Sequence, residues 1–165
     1  MMLCLTCGLQ RPNYFKSHTC PRCNSYLKYV EAAAKPTIIK INKAGLHISY
    51  AVAEVYDYAN DAIHAINICI GIAHPYPVMV FHRLPDGYEY IFPEEYTFEY
   101  LSRLPIEHLI SPVRTYGILR YEAEYLDYNI AKTILRQKLK ELDMWIEDAG
   151  ADGWLAICNL GGWLD

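Results

Sequence analysis

The sequence predicts an α+β protein in two parts: a small cysteine-rich head at residues 1–28 and an α+β domain at residues 29–165. Four of the six cysteines stand near the start of the chain in two closely spaced pairs, the pattern of metal ligands. The middle of the chain holds stretches in which apolar residues alternate, as in strands, and a long stretch near the end has helical periodicity. We therefore expect a mixed, largely antiparallel sheet packed with two or three helices on one face.

The head contains the stretch "CLTCGLQRPNYFKSHTCPRC", whose two Cys-x-x-Cys pairs are Cys4 with Cys7 and Cys20 with Cys23. Two residues between the cysteines of a pair allow a tight turn that directs both thiolates at one ion. Two such turns complete a tetrahedral four-sulfur site, which favours structural zinc. A rubredoxin-like iron site uses the same ligands and stays open as an alternative.

The residues around the pairs fit such turns. Gly8 and Asn24 directly follow the second cysteine of each pair, and both tolerate the positive φ with which the chain would turn beneath a metal. Cys69 and Cys158 instead stand alone in apolar runs, which predicts small buried side chains.

With these motifs, residues 1–28 resemble a zinc ribbon. The resemblance implies two hairpin-like knuckles that hold one structural zinc ion. Ribbons of this kind bind nucleic acid, dock proteins or hold together a segment too small to fold alone. Basic and aromatic side chains of the head could pair with phosphates and stack on bases. These possible nucleic-acid contacts are Arg11, Tyr14, Phe15, Lys16 and Arg22.

A second resemblance covers residues 1–50. A ribbon followed by "IIKINKAGLHISY" is similar to small phage- or prophage-borne proteins, in which a helix ending in Asn-x-x-Gly leads into a strand. In those proteins a Cys-Gly-His-like cluster usually follows the strand, whereas this chain continues with "AVAEVYDY". The resemblance implies a mobile-element origin.

The first half of the body predicts one helix and several strands. "YVEAAAKPTIIKINKAG" predicts a helix that kinks or starts at Pro36 and ends before Gly45. "LHISYAVAEVYDY" and "IHAINICIGIA" predict two strands, and "VMVFHR" and "YEYIF" predict a hairpin around Pro-Asp-Gly. The face expected to be buried on the first strand consists of Leu46, Ile48, Tyr50 and Val52.

The second half predicts a short helix in "EEYTFEYLSRL", a strand in "RTYGILRY", a long helix from Glu122 to Ala149 and a last strand in "GWLAICNL". The expected apolar side of the long helix consists of Leu126, Ile130, Ile134, Leu142 and Ile146. Acidic residues crowd the end of this helix, where the helix dipole disfavours negative charge unless a cation meets them. They are Glu141, Asp143, Glu147 and Asp148.

Composition and charge favour a folded protein without a membrane span or a secretory signal. The chain of 165 residues is 53% hydrophobic and 21% charged, with a net charge of −4, which indicates a folded core. The head has four basic residues and no acidic one, so all nineteen acidic residues lie in the body. No apolar stretch is long enough for a membrane span, and the start lacks the features of a secretory signal, so we expect a cytoplasmic protein.

The favoured hypothesis is a non-enzymatic zinc-binding protein that binds a macromolecular partner, with a protein favoured, as a phage or mobile-element accessory or inhibitor would. Fifteen tyrosines could supply a binding surface. One alternative is a nucleic-acid-binding protein that uses the head. The other is a small enzyme acting on a nucleotide or another small molecule, with candidate residues Asp57, Asp61, His64 and His82.

Overall fold

A computed structural model describes residues 1–12, 17–57 and 62–147. Their strands form one seven-stranded sheet in the order β2-β1-β3-β4-β5-β7-β6. Only the β3–β4 pair is parallel, which confirms a mixed, largely antiparallel sheet. The strands are β1 (Met2–Leu3), β2 (Gln10–Arg11), β3 (Lys28–Val30), β4 (Ile48–Asp57), β5 (His64–Ile72), β6 (Glu89–Ile91) and β7 (Gly117–Tyr125).

Four α-helices lie within the described residues, on both faces of the sheet rather than on one. They are α1 (Lys35–Lys43), α2 (Phe98–Ser102), α3 (Ile106–Ile110) and α4 (Tyr128–Glu147). Helices α1 and α4 cover the main core, whereas α2, α3 and their connections cover a smaller apolar cluster on the opposite face. The expectation of two or three helices on one face is wrong because the central strands are apolar on both faces. The smaller cluster is built from Tyr50, Val52, Cys69 and Ile118.

A β-bulge in β4 divides the face that the sequence predicted for this strand. The register shifts between Ile48 and Tyr50, because Ile48 pairs with Ile72 and Tyr50 with Gly71. An extra residue in a strand reverses the side on which later side chains project. Ile48 therefore packs in the main core, and Tyr50 packs on the opposite face.

The predicted hairpin of "VMVFHR" and "YEYIF" does not form, although β6 lies within "YEYIF". Val78–Phe81 forms a 3₁₀ helix that follows Pro77, and it places Phe81 in the main core. The predicted turn does form, because the Tyr88 amide donates to the Pro85 carbonyl at 3.0 Å. The strand after this turn pairs with β7 instead of with the preceding segment.

Helix α4 begins later than predicted, because β7 continues through Tyr125 and pairs with β5 along its whole length. Asp127 then accepts a hydrogen bond from the Ile130 amide at 3.0 Å and caps the helix. Leu126 and Ile130, which were expected in the core, are 80% and 53% exposed. The buried residues of α4 are Ala131, Leu135, Leu139, Leu142 and Trp145.

The acidic end of α4 meets a cation from α1. Lys40 Nζ lies 3.2 Å from a carboxylate oxygen of Asp143 and 2.8 Å from one of Glu147. A single ammonium therefore offsets part of the negative charge that Asp143 and Glu147 place near the helix end. Helix α1 itself begins at Lys35 with a proline in its first turn, so the predicted start at Pro36 is correct to within one residue.

The head and the body share the sheet. Strand β3 crosses the predicted boundary at residue 28 and pairs with β1 on one side and with β4 on the other. That residues 1–28 and 29–165 fold as separate units stays a prediction. The predicted last strand at "GWLAICNL", with Cys158, lies outside the described residues.

Candidate metal centre

The two cysteine pairs lie on two turns with the same backbone hydrogen bonds. The Cys4 amide donates to the Leu9 carbonyl and the Gly8 amide to the Cys4 carbonyl, at 2.8 and 2.9 Å. In the second turn, the Cys20 amide donates to the Ser25 carbonyl and the Asn24 amide to the Cys20 carbonyl, both at 2.8 Å. We call these two turns the knuckles.

The residue after each pair has the positive φ that the sequence predicted. Gly8 has φ 75° and Asn24 has φ 60°. Asn24 is the one non-glycine residue with positive φ in the part of the chain that the structure describes. A residue in the left-handed conformation reverses the chain direction at this point. The backbone then turns beneath the sulfurs and leaves the space between them open.

The four sulfurs form one cluster. The side chains of Cys4, Cys7, Cys20 and Cys23 bring their Sγ atoms within 4.8 Å of one another. The Cys4–Cys23 and Cys7–Cys20 sulfur pairs are each 3.5 Å apart, which is too long for a disulfide. A tetrahedral ion with metal–sulfur bonds of about 2.3 Å separates its ligands by roughly 3.8 Å. The cluster could therefore hold a metal ion with little movement.

The electrostatics of the cluster also suit a cation. The Ser25 hydroxyl and then its backbone N–H lower the pKa of the Cys23 thiol to about 6 by hydrogen bonding to the sulfur. At Cys7, the Leu9 backbone N–H lowers the pKa, but burial and the neighbouring sulfurs outweigh it and raise the pKa to about 12. Four thiolates at such distances repel one another, and a divalent cation removes that repulsion.

A small apolar core supports the cluster from behind. Cys4 and Cys20 are buried at 0% and 2% exposure, whereas Cys7 and Cys23 face the solvent. The buried pair packs with Met2 of β1 and with Leu27, directly before β3. Each knuckle thus contributes one buried and one exposed sulfur, and the sheet edge is part of the site.

Lys28 is a cation next to this core. Its burial lowers the pKa of the ammonium to about 8, while the Cys4 sulfur acts in the opposite direction. The head therefore carries a partly desolvated positive charge on the same strand that joins it to the body.

The structure describes two of the five predicted nucleic-acid contacts. Arg22 is exposed between Cys20 and Cys23, and Arg11 is half-buried in β2. Tyr14, Phe15 and Lys16 lie outside the described residues, so their part in the prediction is untested.

Two of the four candidate enzyme residues, Asp57 and His64, are brought together. Asp57 and His64 are paired in register across the β4–β5 hairpin, and the Asp57 carboxylate contacts His64 Nδ1. His82 Nδ1 contacts the Met79 carbonyl on the 3₁₀ helix. Asp61 lies outside the described residues. Within the described chain, the four cysteines form the one group of three or more His, Cys, Asp or Glu side chains spaced to hold a metal.

Tyrosines of the middle and late chain mainly support the fold. Tyr88 and Tyr121 are 9% and 7% exposed, and Tyr90 stacks on Phe81 with ring centroids 3.7 Å apart. Tyr128 is more open, at 43% exposure.

A surface that the sequence reasoning missed lies on α2 and α3. Its apolar side chains are exposed, and Phe98 and Leu109 are 89% and 80% exposed. We call it the α2–α3 patch; its residues are Phe98, Leu101, Ile106, Leu109 and Ile110. The sequence does contain a clue to this surface. Each of the two helices has only five residues, and each carries more apolar side chains than one buried face can hold.

Comparisons with protein-family models, with curated proteins and with solved structures find no significant match to this chain. None of the described helices combines the length and apolar character that crossing a membrane requires.

Proposed function

We propose that the knuckles bind one Zn²⁺ through Cys4, Cys7, Cys20 and Cys23, and that the ion holds the head on the edge of the sheet. The clustering of four sulfurs within 4.8 Å carries this proposal. A four-thiolate set leaves no open coordination position on a tetrahedral ion, so the role is structural. Zinc is favoured over iron because structural sites of this ligand set are commonly zinc sites.

Metal analysis tests the site directly. Protein purified without added metal should contain about one zinc per chain. Cys4→Ser should lose it, whereas Cys69→Ala, which alters a buried cysteine outside the cluster, should keep it. Iron in place of zinc would correct the identity of the metal, and an unchanged zinc content in Cys4→Ser would remove the site.

We further propose that the protein acts by binding a protein partner at the α2–α3 patch. Five exposed apolar side chains on two adjacent short helices support this, because such clusters commonly mark interaction surfaces. An accessory or inhibitor role for a phage or mobile element would suit a non-enzymatic binding protein, and the resemblance of residues 1–50 supports it.

The patch offers a matched pair of variants. Leu109 and Leu126 are both 80% exposed, but only Leu109 belongs to the patch. The partner would be captured by cross-linking in a lysate of the native host. Leu109→Glu should abolish this capture, and Leu126→Glu should retain it. Equal capture by both variants would move the binding surface away from α2 and α3.

A nucleic-acid-binding head is the second candidate, supported by the exposed Arg22 and by the absence of acidic residues from residues 1–28. Binding to labelled DNA or RNA would weaken steeply as salt rises, because the contacts would be to phosphates. Arg22→Ala should then weaken binding more than the exposed Arg136→Ala. No binding at low salt would retire this candidate.

A further inference from the structure

A row of polar side chains crosses the face of the sheet that carries the smaller apolar cluster, opposite the main core. Glu54 of β4 is paired in register with Asn67 of β5, and Asn67 is paired with Glu122 of β7. Neighbouring strands lie about 4.8 Å apart, and residues in register point to the same face. A carboxylate, an amide and a second carboxylate therefore lie side by side on the central strands.

This row forms part of the floor of an open groove of about 710 Å³. The connection between α2 and α3 contributes Arg103 and Pro105 to one wall, and Glu124 of β7 lies two residues beyond the row. The groove adjoins the α2–α3 patch without containing any of its five residues. We call it the acidic groove.

Asn67 indicates that the acidic groove is built for a ligand. Its side chain lines the groove, yet the residue is only 7% exposed. Its buried Oδ1 has no hydrogen-bond partner among the residues that the structure describes. Leaving a buried acceptor without a donor costs about 1–3 kcal/mol, so a donor delivered into the groove would recover that cost.

The uncompensated charge of the groove is negative. Arg103 is held by Glu99 at 2.6 Å, and the Glu122 carboxylate contacts Arg120. Within the described part of the chain, Glu54 and Glu124 have no ion-pair partner.

The surroundings of Glu54 also favour an incoming cation. Burial raises the pKa of its carboxyl, and the nearby charges of Glu31 and Glu107 act in the same direction. A positive group placed beside Glu54 would relieve both the repulsion and the cost of burying a charge.

We propose that the acidic groove binds an alkylguanidinium group, with Asn67 Oδ1 and the Glu54 carboxylate as acceptors and Glu124 at the mouth. A guanidinium is planar and presents five N–H donors in a fixed fork, so it can donate to an amide oxygen and a carboxylate at the same time. The site goes beyond the proposed function, because it needs neither the zinc ion nor the α2–α3 patch.

The guanidinium can come from a free small molecule or from an arginine of a peptide, and two probes separate these sources. Full-length protein is titrated with agmatine and with the blocked tripeptide acetyl-Gly-Arg-Gly-amide. The readout is the NMR shift of the Asn67 side-chain amide, assigned with Asn67→Ser. A citrulline tripeptide is the control ligand, because it replaces the guanidinium with an uncharged urea.

Both guanidinium probes should shift the Asn67 signals, and the tighter of the two identifies the source. Glu54→Gln should weaken binding about tenfold, the effect of losing one charge-assisted hydrogen bond. Asp86→Asn removes one acidic charge outside the groove and should leave binding unchanged.

Three results would overturn the proposal: no shift at Asn67, equal binding of the citrulline tripeptide, or equal weakening by Asp86→Asn and Glu54→Gln. Zinc content is measured on the same samples, so a failure of the groove is distinguishable from a failure of the metal site. Glu54→Gln is expected to fold, since glutamine has nearly the same size and removes the repulsion from Glu31 and Glu107.

Discussion

Removing the metal should open the head and leave the body folded. The supporting core of the knuckles consists of four buried side chains, and β1 and β2 contribute two residues each to the sheet. Apolar contacts and backbone pairing on this scale cannot order a segment of this length without a cross-link. The body, in contrast, has its own large core between the sheet and the helices α1 and α4.

The size of the effect follows from the loop that the metal closes. A bound ion would join Cys7 to Cys20, and a cross-link over a loop of about 15 residues is worth roughly 3 kcal/mol. A free energy of this size corresponds to about a hundredfold change in an opening equilibrium. The amides to follow are those of the knuckles, which donate the hydrogen bonds at Cys4, Gly8, Cys20 and Asn24.

Hydrogen exchange before and after chelation provides the assay. Knuckle amides should exchange about a hundredfold faster without metal, and amides of β5 should keep their rates. Cys4→Ser should reproduce the effect of the chelator, and Cys69→Ala should not. Unchanged knuckle exchange would show that the apolar cluster alone holds the head, and equal acceleration in β5 would show that head and body unfold together. Either result would refute this reasoning.

Three further perturbations test the body. Gly71→Ala should lower the free energy of unfolding in urea by about 3 kcal/mol, because the new Cβ would lie 2.4 Å from the buried ring of Tyr50. A decrease below about 0.5 kcal/mol would contradict this overpacking. Lys40→Met should lower the urea midpoint more than Lys43→Met, since only Lys40 joins the acidic end of α4; equal effects would remove its structural role. Burial lowers the pKa of His108. Just below pH 6.5 the unfolded chain therefore binds a proton at this histidine that the folded chain does not bind. The free energy of unfolding should consequently fall on acidification from about pH 7 to about pH 5. His108→Gln should flatten that decline, and an unchanged pH profile would rule out this source.

The local chemistry of the head could be predicted from the sequence. The spacing within each Cys-x-x-Cys pair determines where two thiolates point, and Gly8 and Asn24 have the predicted positive φ because the turn itself requires it. These are short-range constraints that involve a few consecutive residues. The meeting of the two pairs then followed from the ligand count that one tetrahedral ion needs.

Features set by tertiary packing could not be predicted in the same way. One inserted residue in β4 placed Ile48 and Tyr50 on opposite faces, and no alternation of apolar residues marks such a bulge. The helical periodicity near Glu122 was misleading because β5 offered that segment a complete strand partner. The acidic end of α4 was puzzling in the sequence because its cation, Lys40, comes from a distant helix.

The acidic groove shows why a candidate site can escape notice in a single sequence. Glu54, Asn67 and Glu122 are unremarkable polar residues on three separate strands, and only the register of the sheet places them in one row. The same register explains why the Oδ1 of Asn67 lacks a partner: its neighbours across the strands are carboxylates, which cannot donate to it when ionised. A row with three acceptors and few donors is incomplete on its own, and a planar cation with several donors supplies what it lacks.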